Sequence, residues 1–214
     1  MSEETSTSNI PKSNTPFGIL YKNIFFKPSL TFIDILGNTR KEYNVHFFIL
    51  TGIYSFLTIA LSSNYNEYLP KNLPFSTIII MSVFVGGVIG YLTGWISGWV
   101  LYFIGKKMGS TAKQIHFQTV YAWSQAPVFF NFILLFVQLL AFGTPIGNLS
   151  TDLASANIAL ISIINFVGLF LSVIQMLIVL RGLQILHKGK IMNAFGNFFI
   201  PFAIIILINV LILI

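Results

Sequence analysis

The sequence predicts an all-α integral membrane protein with five transmembrane helices, and its composition is the first reason. Of the 214 residues, 55% are hydrophobic and only 8% are charged, whereas an ordinary soluble domain carries about 25% charged residues. So few charges cannot cover a globule of this size, and lipid must therefore be the solvent for much of the surface. The chain contains no cysteine, which excludes a disulfide framework and a thiolate metal site.

The second reason is that the apolar residues fall into five segments separated by polar loops. The predicted spans are approximately residues 45–61, 75–104, 120–142, 158–180 and 192–214. The first is close to the shortest helix that can cross a hydrocarbon core of about 30 Å. The second is longer than the core, so we expect it to tilt, bend at its glycines or project from the membrane. Pro127 predicts a kink in the third, because proline removes a backbone hydrogen bond.

The third reason is the distribution of Lys and Arg. All of them except Lys71 lie before the first span, between the second and third, or between the fourth and fifth. Those parts share one side of a five-helix arrangement, so the positive-inside rule predicts a cytoplasmic amino terminus and a carboxyl terminus outside. The basic residues cluster at the ends of apolar segments and are not interleaved with aromatics along one face, which argues against nucleic acid as a partner.

The part before the first span divides into a tail and an interfacial segment. Residues 1–16 are polar and predict a disordered cytoplasmic tail without a signal-peptide apolar region. Residues 17–44 predict an amphipathic interfacial segment, in which Leu30, Ile33 and Leu36 share one helix face. We expect this segment to lie on the membrane surface, because it is too short to span and no soluble core is available to it. Residues 45–214 then form the membrane domain.

A stripe of small residues runs along the second span. Gly86, Gly90, Gly94 and Gly98 recur at intervals of four, and Ser82 extends the stripe by one step; we call these five residues the glycine stripe. Each interior glycine would cost about 1 kcal/mol in a soluble helix, but in a bilayer the backbone must satisfy its own hydrogen bonds. Such a stripe lets another helix approach closely. The alternatives are a hinge or a contact surface for a lipid or a partner helix.

The predicted spans contain no Asp, Glu, Lys or Arg, which argues against proton relays and ion-coupled transport. The polar residues expected to be buried in the third, fourth and fifth spans are neutral: Ser124, Gln125, Asn131, Gln138, Ser162, Asn165, Ser172, Gln175, Asn197 and Asn209. We expect most of these side chains to form interhelical hydrogen bonds. The alternative is a polar path for a lipid headgroup or a small solute.

The three histidines are the only candidates for a metal site. His46 starts the first span, His116 precedes the third and His187 follows the fourth, all on the predicted cytoplasmic side. Three imidazoles suit zinc with one open position. Their wide spacing is not a ligand motif, and each histidine suits the membrane interface by itself. The sequence also lacks a nucleophile elbow, a phosphate-binding loop and the HExxH motif. We therefore expect no catalytic residue, no metal and no cofactor.

Three stretches carry a family resemblance. They are FFKPSLTFIDIL before the first span, KKMGSTAKQIHFQTVYAWSQAP with Tyr121, Ala122 and Pro127, and LRGLQILHKGKIMNAFGNFFIP with His187, Ala194 and Pro201. On these stretches the chain resembles the Yip1-domain family, especially its prokaryotic members, over about residues 25–214. The resemblance implies five spans, a cytoplasmic amino terminus and a bacterial cytoplasmic membrane. Eukaryotic members are associated with vesicle traffic and Rab-type GTPases, but this chain lacks their Asp-Leu-x-Gly-Pro motif, which argues against a small GTPase partner.

These observations favour a non-enzymatic membrane protein that organises or recruits partners through its helices and its basic cytoplasmic face. The expected partners are the lipid bilayer and other membrane proteins or further copies of this chain. The first alternative is a passive conduit for lipid or a small solute, and the second is a metal-dependent enzyme at the cytoplasmic face. A continuous polar groove would favour the conduit, whereas tightly paired amides would favour the organising role.

Overall fold

The computed structural model describes residues 15–38, 41–61, 74–142 and 151–213, and the regular structure within these ranges is entirely helical. The elements are α1 (Phe17–Phe26), α2 (Pro28–Asn38), α3 (Lys41–Leu61), α4 (Phe75–Met81), a π-helical segment (Ser82–Gly86), α5 (Gly87–Lys107), α6 (Gln114–Ser124), α7 (Val128–Phe142), α8 (Thr151–Leu186) and α9 (Ile191–Leu213). Residues 1–14, which make up most of the predicted tail, and the side chain of Asn209 lie outside the described set.

Within the part of the chain that the structure describes, four helical stretches are long and apolar enough to cross a membrane. They are Tyr43–Leu61, Phe75–Lys107, Gln114–Ala141 and Ala159–Leu186. The fifth predicted span coincides with α9, an unbroken helix of 23 residues that contains Pro201. Many side chains in its second half lie outside the described set, so the count of five spans stays a prediction.

The stretch from Phe75 to Lys107 contains a local change of helix type. Between α4 and α5 the backbone forms one π-helical turn, Ser82–Gly86, and the Ser82 hydroxyl donates to the Ile78 carbonyl at 2.7 Å. At 1.5 Å per residue the whole stretch is about 50 Å long, which exceeds a hydrocarbon core of about 30 Å. Its final turns pack against α6 and α9.

A short turn divides the third predicted span. Helix α6 ends at Ser124, Pro127 lies in the following turn, and α7 begins at Val128. Proline has no N–H to continue the helical hydrogen bonds. Because α6 begins at Gln114, the helical part of this span starts earlier than the apolar pattern suggests.

Helix α6 lies at the centre of the bundle. Phe117, Val120 and Trp123 are fully or almost fully buried. The Trp123 ring lies 5.6 Å from the ring of Phe17 and 5.1 Å from the ring of Phe47, measured between centroids. Aromatic contacts of this kind stabilise a core beyond the apolar area that they bury. They join α1, α3 and α6 into one core.

The amino-terminal segment, to which the sequence offers no soluble core, packs partly into the core of the helical bundle. Ile24 of α1 and Phe32 of α2 are fully buried, because α2 packs on α8 and α1 lies beside α6 and α8. The Tyr21 hydroxyl donates to the Ala126 carbonyl at 2.9 Å, and burial raises the pKa of Tyr21 to about 12.

The two apolar faces of α2 therefore differ in their surroundings. Phe32 and Ile35 face the bundle, whereas Leu30 is 66% exposed and Ile33 is 48% exposed. An exposed apolar face on a short helix suits a membrane surface. Contact between this face and the bilayer stays a prediction.

Candidate functional site

The first part of the glycine stripe lies against α3. A Cβ atom added at Gly90 would lie 2.5 Å from the Cα atom and 2.6 Å from the amide nitrogen of Gly52. A Cβ atom added at Gly86 would lie 2.8 Å from the Cβ atom of Phe56. Real Cβ atoms do not approach other atoms this closely, so α3 and α5 pack backbone to backbone.

The second part of the stripe meets side chains from two helices. Gly94 lies directly under the ring of Phe48 on α3, and a Cβ atom at Gly98 would lie 2.6 Å from the Cγ atom of Gln118 on α6. Ser82, at the other end, is buried and its hydroxyl is bonded to its own helix. The stripe therefore borders α3 first and α6 further along the same face.

The sequence pattern does not single out Gly52, although this residue provides the closest contact with the stripe. It is the only glycine in α3, so no repeat marks its position. A lone glycine inside an apolar span was the available signal, since it indicates a close backbone approach in membranes.

The connections after α5 and α8 lie side by side. The Ser110 hydroxyl donates to the Leu186 carbonyl at 2.8 Å, and the Asn193 amide donates to the Met108 carbonyl at 3.1 Å. We call this region the basic end, after its exposed cationic side chains: Lys106, Lys107, Lys113, Arg181, Lys188 and Lys190. The hydrogen bonds connect the ends of α5, α8 and α9.

A buried polar pair lies beneath this surface. The Nδ2 atom of Asn197 lies 3.0 Å from the Nε2 atom of His187, and Phe117 packs against the histidine ring. Because an amide nitrogen only donates, this contact requires an unprotonated Nε2 atom. Burial lowers the pKa of His187, which favours the unprotonated ring that this contact needs. Gly105 leaves room for the pair, since a Cβ atom there would lie 2.8 Å from the Asn197 Nδ2 atom.

Several of the polar residues in the predicted spans have identified partners. The Gln175 amide donates to the Gln125 side-chain oxygen at 2.8 Å and connects α8 to the turn after α6. The Ser124 hydroxyl donates to the Tyr121 carbonyl at 2.6 Å, and the Ser172 hydroxyl donates to the Gly168 carbonyl at 3.0 Å. The others differ in exposure: Asn131 and Gln138 are half-buried, whereas Ser162 and Asn165 are exposed.

The family model described as the Yip1 domain matches residues 22–212. The chain belongs to the Yip1 domain family. No curated protein and no solved structure matches it. The Yip1 match begins within α1 and ends within α9, so the glycine stripe and the basic end both lie inside the Yip1 domain.

The residues that carried the family resemblance are distributed over the Yip1 bundle. Ala122 and Ala194 are completely buried, and the half-buried Tyr121 ring lies 6.1 Å from the Phe48 ring. Pro201 is half-buried within α9. Of the residues that carry the resemblance, only His187 belongs to the polar pair.

The three histidines lie in different environments. His46 on α3 is exposed, His116 on α6 is half-buried, and His187 after α8 is buried. Within the described ranges, no three His, Cys, Asp or Glu side chains are close enough together to hold a metal ion. The partner that the fold places beside the His187 ring is the Asn197 amide.

Proposed function

We propose that this Yip1-domain protein is a non-enzymatic, multi-pass membrane protein that organises or recruits partner proteins at its basic end. The observation that carries the proposal is the set of hydrogen bonds that fixes the basic end. Ser110, Asn193 and Asn197 each contact a different part of the neighbouring connection or helix. A fixed surface loses little conformational entropy on binding, which favours recruitment.

The charge of the basic end supports an acidic partner surface. The sequence has twelve Lys and Arg but only six Asp and Glu. No acidic residue occurs at positions 68–151 or after position 152. The described cations of the basic end therefore have no acidic neighbours along α5, α6 and α9. Complementary charge increases association rates and suppresses wrong partners.

The paired amides support this role over a passive conduit. A conduit needs polar side chains that exchange partners with a passing solute. Gln125 and Gln175 are bonded to each other, and opening such a pair in an apolar setting leaves unsatisfied polar atoms. A hydrogen bond of this kind is typical of side chains that hold neighbouring helices together.

We also propose that the basic end faces the cytoplasm and that α9 is the fifth span. A reporter fused to the carboxyl terminus is then expected outside the cytoplasm, because the alternation of Lys and Arg places an odd number of spans after a cytoplasmic amino terminus. The measurement is a paired assay with one reporter active only in the cytoplasm and another active only outside. A cytoplasmic carboxyl terminus would require an even span count and would overturn this orientation.

Recruitment is tested by site-specific photocrosslinking in native membranes. Met192 is 77% exposed at the basic end and carries no charge, whereas Phe136 is 59% exposed on α7. We expect a photoreactive residue at Met192 to yield discrete protein adducts and one at Phe136 to yield lipid adducts. The adduct at Met192 should weaken several-fold in a Lys188→Gln/Lys190→Gln background and persist in Lys22→Gln, since Lys22 lies on α1. Lipid adducts alone at both positions would contradict recruitment.

A further inference from the structure

A polar cavity lies between α3, α5 and α6, apart from the hydrogen bonds of the basic end. Its volume is about 530 Å³, and its lining includes Asn44, Gln118, Lys113, Trp95 and Tyr91. Cavities of this size accommodate small-molecule ligands. The lining combines amides from α3 and α6 and the cation just before α6 with aromatic rings from α5.

Two buried atoms at the cavity lack hydrogen-bond partners among the described residues. They are the Oδ1 atom of Asn44 and the Nε2 atom of Gln118, and both side chains are at least nine-tenths buried. Leaving such a group unsatisfied is costly, so native proteins rarely do so without a reason. One atom is an acceptor and the other is a donor.

The neighbouring contacts fix how these amides are presented. The Nδ2 atom of Asn44 donates to the Thr119 hydroxyl at 2.9 Å, which in turn donates to the Ile115 carbonyl at 2.8 Å. The Asn44 Oδ1 atom is therefore the part of that amide left to accept. Gln118 is packed against Gly98, where an added Cβ atom would lie 2.9 Å from the Gln118 Cα atom. The last glycine of the stripe thus makes room for Gln118 beside the cavity.

The location of the cavity matches the headgroup region of a membrane. The candidate spans of α3 and of α6 begin at Tyr43 and Gln114, each next to a cavity residue. Lys113 is exposed beside the α6 start, and Trp95 and Tyr91 are partly exposed on α5. Tryptophan and tyrosine are enriched where the hydrocarbon core meets the headgroups.

We propose that this cavity binds the headgroup of a phospholipid. Lys113 and the Gln118 Nε2 atom donate to the phosphate, and the Asn44 Oδ1 atom accepts from a hydroxyl or primary ammonium group of the same headgroup. Trp95 and Tyr91 contact the first part of the acyl chains. This site goes beyond protein recruitment at the basic end. It shares Lys113 with the basic end, and its other residues are different.

The ligand chemistry is tested by native mass spectrometry of the full-length protein in detergent. The probes are phosphatidylglycerol, phosphatidylethanolamine, phosphatidylcholine and glycerol 3-phosphate. We expect the first two lipids to bind about tenfold more tightly than phosphatidylcholine, whose headgroup has no donor for Asn44. Equal binding of phosphatidylcholine would overturn the role of Asn44. Binding of glycerol 3-phosphate as tight as that of phosphatidylglycerol would overturn the lipid assignment in favour of a soluble phosphate.

The site is tested with Lys113→Gln and Gln118→Leu, which each remove one proposed phosphate contact. We expect each to weaken phosphatidylglycerol binding about tenfold. The matched controls are Lys107→Gln, a cation of the basic end outside the cavity, and Gln138→Leu on α7. Lys113 is exposed, so Lys113→Gln tests the site even if Gln118→Leu fails to fold. Equal binding by Lys113→Gln and Lys107→Gln would contradict the site.

Discussion

Replacing Gly90 with alanine is expected to destabilise the protein, although alanine is the better helix former. The added Cβ atom would lie 2.5 Å from the Gly52 Cα atom, and a backbone atom cannot rotate away as a side chain can. Overpacking of this kind costs about 1–3 kcal/mol or more, which exceeds the gain of at most about 1 kcal/mol from helix propensity. Gly90→Leu should lower stability further, because the remainder of its side chain must also displace α3.

The measurement is the thermal unfolding midpoint in detergent, with controls matched by residue type. Gly168→Ala on α8 makes the same change where nothing lies within 4 Å of the added atom, so its midpoint should stay level or rise slightly. Val88→Leu and Ile89→Leu change exposed apolar side chains on the same helix and should be mild. If the unfolding midpoint of Gly90→Leu equals those of these controls, α3 and α5 do not pack against each other at Gly90.

Gly94 provides a graded comparison within the glycine stripe. Its nearest neighbour is the ring of Phe48, a side chain that can shift, whereas Gly90 meets backbone. The spacing of four predicts that these glycines share one helix face. It does not predict whether each glycine meets rigid backbone or a side chain that can move. That information depends on Gly52 and Phe48, which come from another helix.

Composition was sufficient to predict a helical membrane protein, but not how the amino-terminal helices pack. Leu30 and Ile33 form an apolar face, and Phe32 and Ile35 form another. Periodicity cannot decide which of two apolar faces meets protein and which meets lipid. The bundle covers the second face, because α8 offers Gly182 opposite the Phe32 ring.

The cavity escaped prediction for a different reason. Asn44 and Gln118 lie just before the apolar segments that define the first and third predicted spans, so neither entered the set of intramembrane polar residues. The helices begin earlier, at Lys41 and Gln114, because polar residues near a span end continue the helix while facing headgroups. Hydropathy defines the apolar part of a span and omits its polar first turn.

Replacing Phe117 with alanine is expected to destabilise the basic end by about 3–5 kcal/mol, the usual cost of truncating a buried aromatic side chain. Phe117 is fully buried, and its ring lies 5.9 Å from the Tyr102 ring and 6.4 Å from the His187 ring. Its removal leaves a cavity between α5, α6 and the connection that follows α8. The hydrogen bond between His187 and Asn197 loses its apolar cover at the same time.

The check is the unfolding midpoint of Phe117→Ala against that of Phe103→Ala. Phe103 is 52% exposed on α5. Its ring stacks on Trp99 at 5.9 Å between centroids, and the Lys107 ammonium lies 5.7 Å from the ring centroid. Because these contacts are at the surface, its truncation should cost about 1 kcal/mol or less. Phe117→Leu, which retains most of the apolar volume, should fall between the two and keeps the comparison valid if Phe117→Ala does not fold. Equal midpoints for Phe117→Leu, Phe103→Ala and the unmodified protein would show that the ring of Phe117 does not hold these helix ends together. Recruitment through a fixed basic end would then lose its structural basis.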